Sequence, residues 1–263
     1  MAQKQIWTEE KVHVGATEMV VIKGGKGKPL LYFHGELGFE GWCRWHSSLA
    51  EDRTLIIPLH PGFGRTPMAD WIRNVRDLAG FYQRFVREQK LGPVDVIGHS
   101  LGGWIAAEMA ACDPKQFRRA VLVAPMGIRP AEGEILDMFT VTARAYLTRS
   151  ADDPSAAPEF ATLFGGEGTP KQFEDWEDAR AESARIGWEP YMFNPSLPHL
   201  LEAIGLSAMV VFGKQDPIVP PATGEVWQRA IFDAKLVMLD KCGHWPQVEQ
   251  AAQFISNVGG FIA

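Results

Sequence analysis

The sequence predicts an α/β fold with a mostly parallel central sheet, helices on both faces and a helical segment inserted between two strands. Short apolar runs alternate with amphipathic stretches along the chain, which is typical of strands joined by crossover helices. The later runs are apolar throughout, as strands buried on both faces of a parallel sheet are. One stretch, residues 128–199, lacks any strand pattern and is helical, aromatic and acidic instead.

Seven apolar runs are predicted as strands: Glu18–Lys23, Leu30–Phe33, Thr54–Leu59, Val94–Ile97, Ala120–Ala124, Ala208–Phe212 and Leu236–Leu239. Apolar residues recur at three- and four-residue spacing from Trp71 to Phe85, which predicts an amphipathic helix. The Ala-rich stretch Trp104–Cys112 predicts a second helix, and the spacing from Val248 to Val258 predicts a last one.

Residues 1–127 and 200–263 are predicted to form a core around the sheet, and residues 128–199 a helical cap. About seventy residues are too many for one crossover connection, so we interpret the stretch as an insertion. It contains 13 acidic and 6 basic residues, whereas the whole chain has a net charge of −6. An acidic, aromatic cap predicts a pocket that favours neutral, apolar substrates over anionic ones.

Composition excludes several classes of function. The negative net charge argues against a nucleic-acid partner. No apolar run approaches the length of a membrane span, and the first eleven residues lack the core of a signal peptide. Three scattered cysteines argue against a disulfide framework or a zinc site. We expect a cytoplasmic protein without metal or organic cofactor that binds a small-molecule ester and no membrane, with homodimer formation left open.

The motif Gly-x-Ser-x-Gly occurs at Gly98, Ser100 and Gly102, between a predicted buried strand and a predicted helix. A tight strand-to-helix turn exposes its central side chain, needs small neighbours and points free N–H groups at that side chain. Ser100 is therefore the candidate nucleophile. The N–H of Leu101 is one candidate donor to the oxyanion, and the N–H of Glu36, in the loop after Leu30–Phe33, is the other. The carboxylate of Glu36 must then point away, because its charge would oppose the oxyanion.

A serine nucleophile needs a base, and the base needs a carboxylate. His244 lies in a loop after the last predicted strand, at the sheet edge that also holds Ser100, whereas the adjacent His99 should point its side chain away. Asp216 follows the strand Ala208–Phe212 and is the preferred acid; Asp240 is the competitor. The order Ser100, Asp216, His244 is the order known for one class of hydrolases.

Five stretches in this order resemble the α/β-hydrolase superfamily with a helical cap: Phe33–Gly35, His60–Thr66, Gly98–Gly103, Gly213–Pro220 and Cys242–Glu249. The resemblance implies the fold, the Ser-His-Asp triad and a hydrolase of the carboxylesterase type. Cys242–Gln247 also resembles the carbon–carbon hydrolases of ring-fission products. Those enzymes typically carry Asn and Met around the nucleophile and a Gly-rich oxyanion loop, whereas this chain has His99, Leu101 and Glu36.

The first expectation is a serine hydrolase of small, mainly neutral carboxylic esters. The alternatives are a carbon–carbon hydrolase of dienoates, in which Arg180 or Arg185 holds the substrate carboxylate, and a small-molecule receptor on the same fold. Both arginines lie near acidic residues on one predicted helix and are expected to form solvated pairs. Four aromatic residues near the returning end of the cap and the His244 loop are predicted to contact the substrate: Trp188, Tyr191, Phe193 and Trp245.

Overall fold

The computed structural model describes residues 6–164, 169–202 and 204–263. Its strands are β1 (Trp7–Val14), β2 (Thr17–Gly25), β3 (Lys28–Phe33), β4 (Arg53–Pro58), β5 (Val94–His99), β6 (Phe117–Val123), β7 (Ser207–Gly213) and β8 (Lys235–Leu239). They form one sheet in the order β1-β2-β4-β3-β5-β6-β7-β8. β2 pairs antiparallel with β1 and β4, and the other pairs are parallel. The predicted α/β fold is confirmed.

All seven predicted strands are present, but β1 was not predicted. Only its last four residues, Lys11–Val14, alternate polar and apolar side chains, and the strand carries exposed side chains because it lies at the edge of the sheet. The strands at the centre differ. Every residue of β5 is buried, as the continuous apolar pattern predicts for a strand covered on both faces.

The helices are α1 (Arg44–Leu49), α2 (Val75–Glu88), α3 (Leu101–Cys112), α4 (Ala143–Ser150), α5 (Pro158–Phe164), α6 (Pro170–Gly187), α7 (Leu197–Leu201), α8 (Thr223–Ala230), α9 (Pro246–Glu249) and α10 (Ala251–Ile262). α1, α9 and α10 pack together, and α2, α3, α7 and α8 form a second group, consistent with helices on both faces. None of the helices in the described ranges is long and apolar enough to cross a membrane.

α2 begins later than the apolar spacing indicated. The side chain of Asn74 accepts a hydrogen bond from the N–H of Asp77 at 2.8 Å and caps the helix there. The apolar face that follows, which includes Leu78, Phe81 and Phe85, is buried in the core. The predicted apolar stripe is therefore the buried face, although Trp71 lies before the helix and is exposed.

The segment between β6 and β7 contains α4, α5, α6 and α7 and no strand within the described residues. Residue 199, the predicted end of the cap, lies inside α7, which packs against α3 and α8. Residues 1–5 and 203 of the predicted core and residues 165–168 of the predicted cap lie outside the described residues. The division into core and cap stays a prediction.

Candidate active site

Ser100 lies at the turn where β5 ends and α3 begins. Its φ of +52° is in the left-handed region, where a serine is strained. The neighbouring glycines allow the turn. A Cβ on Gly98 would lie 2.3 Å from the carbonyl oxygen of Gly102, and a Cβ on Gly102 would lie 2.0 Å from that of Phe33. The motif therefore forms the strand–turn–helix geometry that its residues predict, but the expectation of an exposed central side chain is wrong, because Ser100 is buried.

His244 and Asp216 approach Ser100 from the loops after β8 and β7. The Nε2 atom of His244 lies 3.0 Å from the Ser100 hydroxyl, and its Nδ1 lies 2.8 Å from Oδ2 of Asp216. The other oxygen of Asp216 accepts hydrogen bonds from the N–H groups of Ile218 and Val219, so this carboxylate is held in place. An Nδ1–H that donates to Asp216 leaves Nε2 free to accept the serine proton.

The structure does not bring the competing acid into this arrangement. Asp240 forms an exposed ion pair with Lys214 at 2.7 Å. Ser100, His244 and Asp216 are thus brought together, and their catalytic roles belong to the proposal below.

His99 has a structural role that was not predicted from the sequence. Its ring lies 5.0 Å from the ring of His244, and its Nε2 donates to the carbonyl of His244 at 2.8 Å. Burial, and then the charge of His244, lower the pKa of His99 to about 3, so the ring is neutral and fixes the backbone of His244. The hydrogen bond joins His99 to a residue 145 positions away in the chain, so the sequence around His99 could not indicate it.

Neighbouring carboxylates favour the charged form of His244. Burial alone would lower the pKa of its imidazole, but the charge and hydrogen bond of Asp216, and then the charge of Glu36, raise it above its ordinary value. Burial would raise the pKa of Glu36, but the charge of His244 and the hydroxyl of Ser100 lower it below its ordinary value, so the carboxylate is ionised.

The expectation that the carboxylate of Glu36 points away from the site is wrong. Its Oε1 lies 3.9 Å from Nε2 of His244 and accepts a hydrogen bond from the phenol of Tyr146 at 2.8 Å. The hydroxyl of Ser183 also donates to the backbone carbonyl of Glu36 at 2.7 Å. Contacts from α4 and α6 therefore hold Glu36 in the active site. These partners are distant in the chain, so the sequence around Glu36 could not predict its orientation.

The two candidate oxyanion donors lie on the elements that the sequence predicted. Leu101 is the first residue of α3, where backbone N–H groups have no partner within the helix. Glu36 lies in a tight turn closed by the hydrogen bond from the N–H of Gly38 to the carbonyl of Gly35, at 3.1 Å. His34, at the start of this turn, is buried, and burial lowers its pKa to about 4.

Three of the predicted substrate-binding residues line a cavity that no triad residue lines. Trp188, Tyr191 and Phe193 surround a volume of about 560 Å³ together with Arg129. The Tyr191 hydroxyl donates to the carbonyl of Leu136 and accepts from the N–H of Met138, so it also holds the cap together. Their contact with substrate stays a prediction.

Trp245 lines a different, smaller cavity of about 190 Å³, together with His34, Leu37 and Phe63. It is buried, its ring lies 4.4 Å from that of His99, and its indole donates to Ser150 at 2.8 Å. Trp245 therefore supports the loop that carries the base, and its predicted contact with substrate is untested.

The two arginines that the sequence offered for the substrate carboxylate, Arg180 and Arg185, are engaged in structural contacts. Arg180 is only 4% exposed; it pairs with Glu177 and donates to the carbonyl of Val141 at 2.8 Å. The expectation of a solvated pair is wrong for Arg180, because the chain before α4 packs over its guanidinium. Arg185 pairs with Glu182 at 2.6 Å and donates to the carbonyl of Ile72.

One group of side chains has the composition of a metal site. Donor atoms of Glu40, Cys43 and His46 lie within 4.8 Å of one another. Tyr32 donates to Glu40 at 2.6 Å, and the N–H of Cys43 donates to Nδ1 of His46 at 2.9 Å. Burial raises the pKa of Glu40 to about 8 and that of Cys43 well above its ordinary value. Because burial keeps Glu40 and Cys43 in their neutral forms, we assign no ion to this group.

Three comparisons with known proteins bear on this site. The profile of the alpha/beta hydrolase family matches residues 30–257. The 2-hydroxymuconate semialdehyde hydrolase of Pseudomonas sp. (strain CF600) is 30% identical over an alignment of 274 residues, which covers 91% of this chain and 88% of that protein. The 2-hydroxy-6-oxo-2,4-heptadienoate hydrolase of Pseudomonas putida strain F1 is 25% identical over 286 residues, covering 96% of this chain and 95% of that one.

A solved structure is similar over nearly the whole chain. The 2-hydroxy-6-oxo-6-phenylhexa-2,4-dienoate hydrolase from Rhodococcus sp. strain RHA1 superposes with a TM-score of 0.77 at 21% sequence identity. The superposition covers 97% of this chain and 98% of that chain, and it supports the fold alone.

Proposed function

The chain belongs to the alpha/beta hydrolase family, and on that premise we propose that it is a serine hydrolase that cleaves a carbon–carbon bond beside the carbonyl of an unsaturated hydroxy acid. The observation that carries the proposal is the hydrogen-bonded chain from Ser100 through His244 to Asp216. The substrates in the relatives' names contain no ester or amide, so a hydrolase acting on them must add water across a carbon–carbon bond. Ester hydrolysis, the first expectation from the sequence, becomes the second candidate.

The proposed reaction begins when His244 takes the proton of Ser100 and Oγ bonds to the carbonyl carbon. The N–H groups of Leu101 and Glu36 donate to the oxyanion. The bond between the carbonyl carbon and its neighbour then breaks, and its electron pair passes to the leaving carbon. The reacting form is the keto tautomer, in which the proton of the 2-hydroxyl group has moved to the leaving carbon. The remaining double bond then connects the leaving carbon with the 2-oxo group, which delocalises the charge.

The remaining steps return the enzyme to its resting state. Protonated His244 gives its proton to the leaving fragment, and the acyl group stays on Ser100. His244 then takes a proton from water, and the hydroxide attacks the acyl carbon. The bond from that carbon to Oγ breaks, His244 gives its proton to Oγ, and the acid is released. Asp216 holds Nδ1–H throughout, so that Nε2 faces the reacting atoms.

Within this proposal, the substrate carboxylate needs a guanidinium that is not already bound. Arg129 fits that requirement better than Arg180 or Arg185, because its side chain is exposed and forms no ion pair with the described residues. Arg129 also lines the cavity of about 560 Å³ with the aromatic residues of the cap. We therefore expect the carboxylate end of the substrate at Arg129 and the carbonyl end at Ser100.

A specific observation favours the second candidate, hydrolysis of neutral esters. The ionised carboxylate of Glu36 lies beside the triad, and Glu134 and Asp137 share the cavity with Arg129. These charges disfavour an anionic substrate that lacks a well-placed cation. The same triad would hydrolyse an ester through the same acyl-enzyme, with an alcohol in place of the carbon leaving group.

The test compares kcat/KM for 2-hydroxy-6-oxo-2,4-heptadienoate with kcat/KM for p-nitrophenyl esters of graded acyl length, on one preparation. The proposal expects the dienoate to be preferred by about tenfold or more, which is about 1.4 kcal/mol of transition-state discrimination. Arg129→Ala should raise the KM for the dienoate and leave that for the ester unchanged. Arg144→Ala, which removes another exposed cap arginine, is the control.

Preference for every ester over the dienoate would replace the proposal with the second candidate. A protein that reacts with a fluorophosphonate but turns over neither substrate class would favour the receptor alternative.

A further inference from the structure

The buried carboxylate of Glu36 has no role in the reaction as written, because only its backbone N–H is used. Burying an ionised carboxylate is unfavourable unless its oxygens are paired. Oε1 accepts from Tyr146, whereas Oε2 is buried with no donor within hydrogen-bond distance among the described residues; the Ser100 hydroxyl and His244 lie close to the carboxylate. Glu36 is 1% exposed, so water outside the protein does not compensate the charge.

The position of this carboxylate makes it relevant to substrate. Oε1 is 3.9 Å from Nε2 of His244, and Nε2 is 3.0 Å from the Ser100 hydroxyl. The scissile carbonyl must lie against the same hydroxyl, so the group bound there also lies close to Glu36. Interactions between charges at such distances are strong where water is excluded.

We propose that Glu36 is a specificity-determining residue, which selects for a hydrogen-bond donor or a cation beside Ser100 and against a carboxylate. The inference rests on the proposed function in one respect: both take Ser100 as the residue at which the substrate reacts. A substrate with one carboxylate therefore binds with its neutral carbonyl end at Ser100 and its anionic end away from Glu36. The acid released from the acyl-enzyme is a carboxylate formed beside Glu36, and repulsion between the two promotes its release.

An isosteric series of small planar molecules tests the selection directly. Acetate, acetamide and acetamidine have nearly the same shape and carry negative, zero and positive charge at about pH 8. Each is measured for protection of Ser100 against labelling by a fluorophosphonate, which does not depend on the natural substrate. The wild-type protein should be protected best by acetamidine and least by acetate.

Three variants separate charge from shape. Glu36→Gln should lower the preference for acetamidine over acetate by about tenfold or more. Glu36→Asp keeps the charge and should keep the order of the three probes. Glu108→Gln is the matched control, because Glu108 is also buried, but its carboxylate is bound by Arg76, Trp104 and Asn194, so the wild-type order should remain.

An unchanged preference in Glu36→Gln overturns the inference, as does a wild-type protein that acetamidine protects no better than acetate. The wild-type order alone decides the question if Glu36→Gln does not fold. Failure of the proposed function is distinguishable, since a protein that hydrolyses no dienoate and no ester can still show the expected order.

Discussion

Replacement of Gly102 by alanine tests whether the geometry of the active site depends on the close contact between α3 and the end of β3. A Cβ at this position would lie 2.0 Å from the carbonyl oxygen of Phe33 and 2.6 Å from that of His34. A Cβ atom does not approach a non-bonded heavy atom more closely than about 3.0 Å. The two carbonyl oxygens belong to the backbone and cannot rotate away as the end of a side chain can. The helix and the strand must therefore separate by about 1 Å in Gly102→Ala.

This separation should reduce both stability and activity. Overpacking of this kind costs about 1–3 kcal/mol, and each kcal/mol lowers Tm by about 2–4 °C in a chain of this size. Leu101 moves with α3, whereas Glu36 follows β3, so the two oxyanion donors lose their alignment. A displacement of about 1 Å can reduce the rate about a hundredfold.

The assays are thermal unfolding and the rate of Ser100 labelling by a fluorophosphonate. Gly80→Ala is the control, because Gly80 is exposed in α2 and a Cβ there meets no atom within 4 Å. That change should leave labelling intact and stabilise the protein by up to about 1 kcal/mol, since alanine is the better helix former. A Gly102→Ala protein with wild-type Tm and wild-type labelling would refute the contact argument.

Three further predictions concern the triad and the buried histidines. Ser100→Ala should abolish turnover without lowering Tm, as checked by assay and calorimetry; activity above a few per cent of wild type would remove Ser100 as nucleophile. Asp216→Asn should lower kcat by orders of magnitude by favouring the wrong imidazole tautomer, whereas Asp240→Asn should be silent; the reverse result would mean that the acid is misassigned. The free energy of unfolding should fall as pH drops from about 6.5 towards about 4, because the unfolded chain takes up a proton on His34 that the buried, neutral ring does not. Urea titrations at several pH values measure this, and a flat profile would contradict it.

The fold could be predicted from the sequence because burial on two faces leaves a clear pattern. The continuous apolar run at Val94–Ile97 corresponds to the fully buried strand β5. β1 was missed because an edge strand with one exposed face tolerates charged residues, so Trp7–Val14 lacks an apolar run. Its weak alternation of apolar and polar residues was the available signal.

Site residues could be predicted where their position depends on neighbouring residues in the chain, and could not where it depends on distant ones. Ser100 could be assigned because its flanking glycines and its place between strand and helix are features of one short segment. The orientation of Glu36 depends on Tyr146, 110 positions away in the chain, and on Ser183, 147 positions away. Helical spacing placed Arg180 near acidic residues, but it could not show that Val141 would cover the guanidinium.

The two carboxylates beside His244 have different consequences for what the protein can bind. Asp216 accepts from Nδ1–H through one oxygen and from the N–H groups of Ile218 and Val219 through the other, so its charge is compensated within the fold. Glu36 has a buried oxygen without such a partner, and its charge acts on whatever occupies Ser100. Because α4 holds Glu36 through Tyr146, the charge beside the nucleophile depends on how the segment between β6 and β7 packs on the sheet. A Ser-His-Asp triad serves many hydrolytic reactions. On the inference made for Glu36, the packing of this segment therefore determines which substrates are selected.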